Sequence, residues 1–128
     1  MAALGPAAKG DLRLVVTAVY LDDMGDRNVE CEVDTTLSFE ERHVFDVKFT
    51  GAATKTIWDS TESPVTAMAG CVAEIITANA TLVETDSVGS ESRTLTVGVP
   101  YLRAATDITK LEVTATAACR VKGVVYGA

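Results

Sequence analysis

Side chains that could serve as a nucleophile, a base or a metal ligand are few in this sequence. The single histidine, His43, stands near Glu40, Glu41 and Asp46, which is the composition of an acid–base site. We favour the alternative of a half-buried histidine in a sheet whose ring nitrogens are hydrogen-bonded, because the presence of charged residues in a turn does not require a catalytic role. The sequence contains no G-x-S-x-G, G-x-x-x-x-G-K-[ST] or H-E-x-x-H motif. We therefore predict that the protein is not an enzyme and has no catalytic residues, cofactor-binding residues or cofactor.

A second group of candidate ligands is the acidic turn Asp22, Asp23 and Asp26 around Gly25. Carboxylate oxygens from a tight loop suit Ca²⁺, but the later bidentate Glu of an EF-hand is missing. Aspartate is also common in turns because it tolerates turn geometry. We predict no metal site, and keep a small calcium-binding or carbohydrate-binding β-sandwich module as an alternative. In the carbohydrate-binding case Trp58 would be an exposed platform for a sugar ring, although a lone Trp beside a turn is more often packed beneath it.

The three cysteines, Cys31, Cys71 and Cys119, are far apart in sequence and form no C-x-x-C pair. An odd number at these spacings fits neither a zinc site nor a complete disulfide framework. Since each stands among the apolar positions of its segment, we predict three reduced core residues. The N-terminus lacks the basic start and apolar core of a signal peptide, so we expect synthesis in a cytosol.

Length and charge limit the classes of partner. The chain has 128 residues and a formal net charge of −7, so its overall field repels phosphate backbones and anionic lipid. We therefore expect neither nucleic acid nor a membrane as a partner. A hydrophobic content of 48% is too high for a disordered chain. The length suits one domain, which we place at residues 11–128 behind an N-terminal arm at residues 1–10.

The composition favours strands, because 38 of the 128 residues are Val, Ile or Thr. Apolar and polar residues alternate from Val29 to Glu40, and the same parity resumes from His43 to Phe49. A three-residue connection at residues 40–42 would keep all these apolar side chains on one face. We therefore predict a hairpin with Phe39 opposite His43 and Val33 opposite Phe49. A single long strand bent by a bulge is the alternative.

Further strands are predicted at Leu12–Leu21, Thr54–Asp59, Leu95–Leu102 and Leu111–Val125. Pro64–Ala80 permits either a helix capped by Ser63 or strands, and we favour strands because of Gly70 and the Thr residues. About eight strands without helical connectors predict an all-β fold, an antiparallel β-sandwich of jelly-roll or Greek-key type.

The last predicted strand is unusually long. Fifteen residues extend roughly 50 Å at about 3.3 Å per residue, against a diameter of about 36 Å for a domain of this size. This strand must therefore bend, at Gly123 or at Ala117 and Ala118, or else protrude. A protruding strand leaves an open edge that needs a neighbour, so we expect oligomerisation.

Several strings in the C-terminal half carry a family resemblance. They are Ile57-Trp58-Asp59-Ser60-Thr61-Glu62-Ser63-Pro64-Val65, then Leu82-Val83-Glu84-Thr85-Asp86, then Val88-Gly89-Ser90-Glu91 and Val97-Gly98-Val99-Pro100-Tyr101-Leu102. In order and spacing, the chain from Ile57 onward resembles a group of small uncharacterised structural proteins encoded in tailed-bacteriophage genomes. The first 50 residues have no counterpart there. The resemblance implies a virion component and brings no catalytic residues with it.

Size and charge select among virion roles. A chain of 128 residues is too short for the usual capsid shell subunit, and its negative charge fits the capsid exterior better than the DNA-facing lumen. We therefore predict a capsid decoration, or cement, protein that is made in the host cytoplasm and binds the major capsid protein. By analogy we expect a homo-oligomer, a trimer, joined through the N-terminal arm and the strand edges. A tail or head–tail connector component is the alternative.

Overall fold

The computed structural model describes residues 10–128, and these form ten β-strands and no helix. The strands are β1 (Gly10–Leu21), β2 (Arg27–Phe39), β3 (Glu41–Phe49), β4 (Ala53–Asp59), β5 (Met68–Ile76), β6 (Ala80–Thr85), β7 (Ser90–Leu95), β8 (Tyr101–Ala104), β9 (Lys110–Ala115) and β10 (Cys119–Gly127). All pairings are antiparallel, which confirms the predicted all-β class.

The described chain divides after Phe39 into two compact units. The first contains β1 and β2, and the second is Glu40–Ala128. The single domain predicted for residues 11–128 thus contains both units. The predicted N-terminal arm, residues 1–10, lies outside the described residues except for Gly10, the first residue of β1.

The first unit is a long two-stranded hairpin whose register places Leu12 opposite Leu37 and Val16 opposite Val33. The predicted hairpin between residues 29–40 and 43–49 is therefore wrong, because β2 pairs with β1 whereas β3 pairs with β10. Alternation tells which residues share a face but not which strand lies alongside. The segment before β2 has the same alternation and a five-residue turn, so it offers β2 a nearby partner.

The second unit is an antiparallel β-sandwich of eight strands. One four-stranded sheet has the order β3-β10-β5-β8 and is called sheet I here; the other, sheet II, has the order β4-β9-β6-β7. Alternate residues of both sheets point into one core, as the burial pattern of β6 and β9 shows. The largest fully buried side chains are Trp58, Phe49, Met68, Leu82, Leu111, Val65, Val113, Val121, Val125 and Cys71.

Two predicted strands are interrupted. The long strand predicted at Leu111–Val125 is β9 in sheet II and β10 in sheet I, joined by a bend that includes Ala117 and Ala118. The bend at this alanine pair is confirmed, and the argument for oligomerisation from a protruding strand no longer applies. The strand predicted at Leu95–Leu102 is wrong over its middle, where residues 96–99 form a turn. Gly98 has a φ of +84°, a conformation that interrupts a strand.

The ambiguous segment from Pro64 to Ala80 contains β5, so the preference for strands over a helix is confirmed. Gly70, which had counted against a helix, lies beneath the ring of Tyr126 from β10. A Cβ at this position would collide with the Tyr126 phenol and with the backbone oxygen of Arg103, so the packing of the buried Tyr126 ring requires glycine here.

Candidate functional site

His43, the predicted sheet histidine, joins the two sheets of the sandwich. A bulge in β4 leaves Ile57 out of the ladder with β9, and the His43 Nε2–H donates to its carbonyl oxygen at 2.9 Å. The other ring nitrogen, Nδ1, then accepts a hydrogen bond from the Ser63 hydroxyl at 3.2 Å. Both nitrogens of His43 are therefore engaged, and the structure agrees with the interpretation as a satisfied, half-buried histidine.

Asp46, one of the acidic residues near His43 in sequence, points away from the histidine. Asp46 alternates to the opposite face of β3 and accepts a hydrogen bond from Arg120 Nε at 2.7 Å, which lowers the pKa of Asp46. The residue that does reach His43 is Ser63, in the loop after β4. Its oxygen also accepts the Val65 N–H at 3.1 Å, so the Ser63 hydroxyl helps to hold this loop. Sequence reasoning missed this partner because 20 residues separate it from His43.

The acidic turn between β1 and β2 is held by its own backbone. The Asp22 carboxylate accepts the N–H groups of Met24 and Asp26, both at 2.9 Å, which is the ordinary turn role of aspartate. Within residues 10–128, no three His, Cys, Asp or Glu side chains lie close enough together to hold a metal ion. The structure thus supplies no support for the calcium-binding alternative.

Trp58 and the cysteines are placed partly as predicted. Trp58 is fully buried and its indole N–H donates to the Val65 carbonyl at 3.1 Å, so the packed interpretation is confirmed and the exposed sugar platform is wrong. Cys71 and Cys119 are free and buried, as predicted. Cys31 is exposed, which contradicts its placement in the core. It lies on the first unit, none of whose described residues belongs to the buried core.

A buried carboxylate that the sequence analysis missed ties sheet II to sheet I. Glu84 on β6 is 4% exposed and accepts hydrogen bonds from Arg93 Nε at 2.7 Å, Arg103 Nε at 3.0 Å and the Tyr101 hydroxyl. Burial by itself raises the pKa of Glu84, but the hydrogen bonds from Arg93 and Tyr101 and the two arginine charges outweigh it, so the pKa lies below its usual value. The donors, Arg93, Tyr101 and Arg103, are side chains of the strands β7 and β8. We therefore interpret this group, which we call the Glu84 clamp, as structural.

The first unit carries an apolar surface, which we call the hairpin face. It comprises the residues that share one side of the β1–β2 register, Leu12, Leu14, Val16, Ala18, Cys31, Val33, Thr35 and Leu37. None of them is charged and none is fully buried; Val33 is 39% exposed. An uncharged and mainly apolar side of a sheet that remains accessible is typical of an interaction surface.

A second accessible apolar surface lies on the side of sheet I that points away from the core. The register places Val44, Val124, Val72 and Leu102 side by side, one from each of the four strands. We call this the valine row. Val44 is 65% exposed, and Leu102 is also exposed. Ion pairs flank the row on one side, between Arg120 and Asp46 and between Lys122 and Glu74.

No protein-family model, no curated protein and no solved structure matches the chain. Among the residues described here, no helix is long and apolar enough to cross a membrane.

Proposed function

We propose that the protein is a structural protein of a tailed-bacteriophage virion, a decoration protein that binds the outside of the capsid shell and stabilises it. The observation that carries this proposal is a complete sandwich core together with two accessible apolar sheet surfaces, the hairpin face and the valine row. Surfaces of this kind suit a protein whose role is to cover and join neighbouring subunits.

The phage assignment depends on the sequence resemblance, and the structure indicates what its residues do. Trp58 in the first string packs under the loop at residues 60–67, and Glu84 in the second is the centre of the Glu84 clamp. Tyr101 in the last string donates to Glu84. The resembling residues thus hold the sandwich closed, which supports a shared fold and a structural role.

The charge distribution supports the capsid exterior. The formal net charge of −7 disfavours contact with packaged DNA, which is itself a dense array of negative charge. The expected partners are therefore the major capsid protein and further copies of this chain.

The proposal is tested on purified particles of the phage that encodes the chain. We expect the chain in the virion proteome at many copies per particle, an antibody label spread over the capsid in electron micrographs, and release by mild chaotrope without loss of the shell. A label confined to the tail or to one vertex would overturn the decoration role in favour of a tail or connector component. Absence of the chain from particles would overturn both.

A further inference from the structure

We propose that copies of this chain associate head to tail, with the hairpin face of one copy covering the valine row of the next. The inference names the self-partner within the proposed function and rests on that structural role. It is measured on the isolated protein, without any shell. Each element of the contact has its own physical argument.

The hairpin needs a partner for its own stability. A two-stranded sheet is at best marginally stable in water, and a third strand or a packed layer on its apolar side is required. Each strand of this hairpin has twelve or thirteen residues, and the whole hairpin face is apolar or neutral. The covering partner must be present wherever the protein is folded, and a second copy meets that condition.

The outward side of sheet I is large enough for the hairpin, with the apolar valine row across it and charged side chains beside the row. Four strands of sheet I give a face about 19 Å wide, and the three strands of nine residues, β3, β5 and β10, give a length of about 30 Å. The hairpin is about 10 Å wide and about 40 Å long, so most of its face fits on sheet I. The overlap, about 10 Å by 30 Å, covers about 300 Å² on each partner, or about 600 Å² in all, which is the size of a weak, concentration-dependent contact.

Charge selects this pairing over the packing of two hairpins. Residues 10–39 carry seven acidic and two basic side chains, a net charge of −5: Asp11, Asp22, Asp23, Asp26, Glu30, Glu32 and Asp34, with Arg13 and Arg27. The outward side of sheet I carries four basic and two acidic side chains, a net charge of +2: Arg42, Lys48, Arg120 and Lys122, with Asp46 and Glu74. None of these hairpin charges belongs to the hairpin face, so they act at longer range: the net charges of two hairpins repel each other, whereas those of a hairpin and sheet I attract.

A contact between two different surfaces of the same chain has a consequence for assembly. Each copy offers one donor surface, the hairpin face, and one acceptor surface, the valine row. Such heterologous contacts close into a ring when the rotation between copies permits, and otherwise extend into a filament. The predicted trimer is one of the rings that this contact can form.

Complementation between two variants tests the inference. Val33→Asp places a carboxylate on the hairpin face, and Val44→Asp places one on the valine row. Either change should weaken association about a hundredfold, because a charge would be buried without a partner. By size-exclusion chromatography with light scattering, we expect an oligomer for the wild type, monomers for each variant alone, and a 1:1 dimer when the two variants are mixed.

Matched controls separate the contact from general effects of a new charge. Thr36→Asp lies on the other side of the same hairpin, at an exposed position opposite Arg13, and Val88→Asp lies in the β6–β7 turn at a position 95% exposed. Both should assemble like the wild type, and circular dichroism should show that all variants are folded.

Three outcomes would overturn the inference. A monomeric wild type would exclude self-association through either surface. Assembly of the Val44→Asp variant alone, with loss only in Val33→Asp, would indicate pairing of two hairpins. Two monomeric variants that form no dimer on mixing would exclude the head-to-tail contact. If assembly follows the expectation but the chain is absent from virions, the proposed function fails while this inference holds.

Discussion

Replacing Glu84 by Gln should strongly destabilise the sandwich. The variant keeps the shape of the side chain and one acceptor oxygen, but it loses the negative charge between Arg93 and Arg103. It also turns an amide NH₂ toward one of the donors. Removing one partner of a buried ion pair costs about 3–5 kcal/mol. The side chains of the two arginines are 39% and 31% exposed, so water replaces part of the lost interaction, and we expect a loss of about 2–3 kcal/mol.

The size of this effect should depend on pH in a defined direction. Because the pKa of Glu84 in the folded protein lies below its ordinary value of 4.5, the carboxylate stabilises the fold fully above about pH 4.5. This contribution is lost as the pH falls through the lowered value, where Glu84 becomes protonated and resembles Gln. The difference in unfolding free energy between wild type and Glu84→Gln should therefore be largest at neutral pH and shrink toward acid pH.

Urea unfolding followed by tryptophan fluorescence measures this difference, since Trp58 is the only tryptophan and is buried in the sandwich. At pH 7 the loss corresponds to a decrease in melting temperature of about 10 °C. Glu91→Gln is the matched control, because Glu91 pairs with the same Arg93 at 3.2 Å but is mostly exposed, and its unfolding should be unchanged. A loss below about 1 kcal/mol, or a difference that is as large at pH 3 as at pH 7, would refute the reasoning.

Two further predictions follow from burial and backbone geometry. In the Val44→Asp variant, which we expect to be a folded monomer with an uncovered hairpin face, a thiol reagent should label one cysteine, Cys31, and all three only after unfolding. Burial, with the nearby Glu84 charge, raises the pKa of the Cys71 thiol to about 12, and burial also raises that of Cys119. Fast labelling of a second thiol in the folded variant would contradict this. Thr77 has a φ of 87°, a strained conformation for a β-branched residue, so Thr77→Gly should stabilise the protein by about 1 kcal/mol in thermal unfolding. Thr81→Gly, within β6, should instead destabilise it. Equal effects of the two substitutions would contradict the assignment of strain to Thr77.

Much of the fold could be predicted from the alternation of residue types, because burial on one face imposes a period of two. This gave β1 and β4 nearly to the residue and favoured strands between Pro64 and Ala80. Pairing partners could not be predicted in the same way. The strands β2 and β3 share one parity across the intervening Glu40, yet they belong to different sheets. Local pattern does not carry information about a partner 70 residues away.

For some structural features of the sandwich, the sequence contained a residue that could have predicted them. Glu84 follows Leu82 at the inward positions of β6, and an acidic residue at such a position needs nearby cations. Gly98 could have marked the turn inside the strand predicted at Leu95–Leu102. The bond from Ser63 to His43 had no such signal, because it depends on where a loop folds over the edge of a sheet. Cys31 was misplaced because its apolar neighbours form a face that the described residues leave accessible.

The position of β10 has a consequence for synthesis on the ribosome. The hairpin of β1 and β2 uses only neighbours in sequence, so its strands can pair, marginally and reversibly, while most of the chain is still untranslated. Sheet I cannot, because β10 lies between β3 and β5 and emerges after all the other strands. Until then the core-facing side chains of β3 and β5 remain exposed to water, and the backbone groups of both strands lack their hydrogen-bonding partner β10. The nascent sandwich therefore exposes apolar side chains and unpaired strand edges until β10 is synthesised. We expect chaperone binding during this interval to increase the fraction of chains that fold.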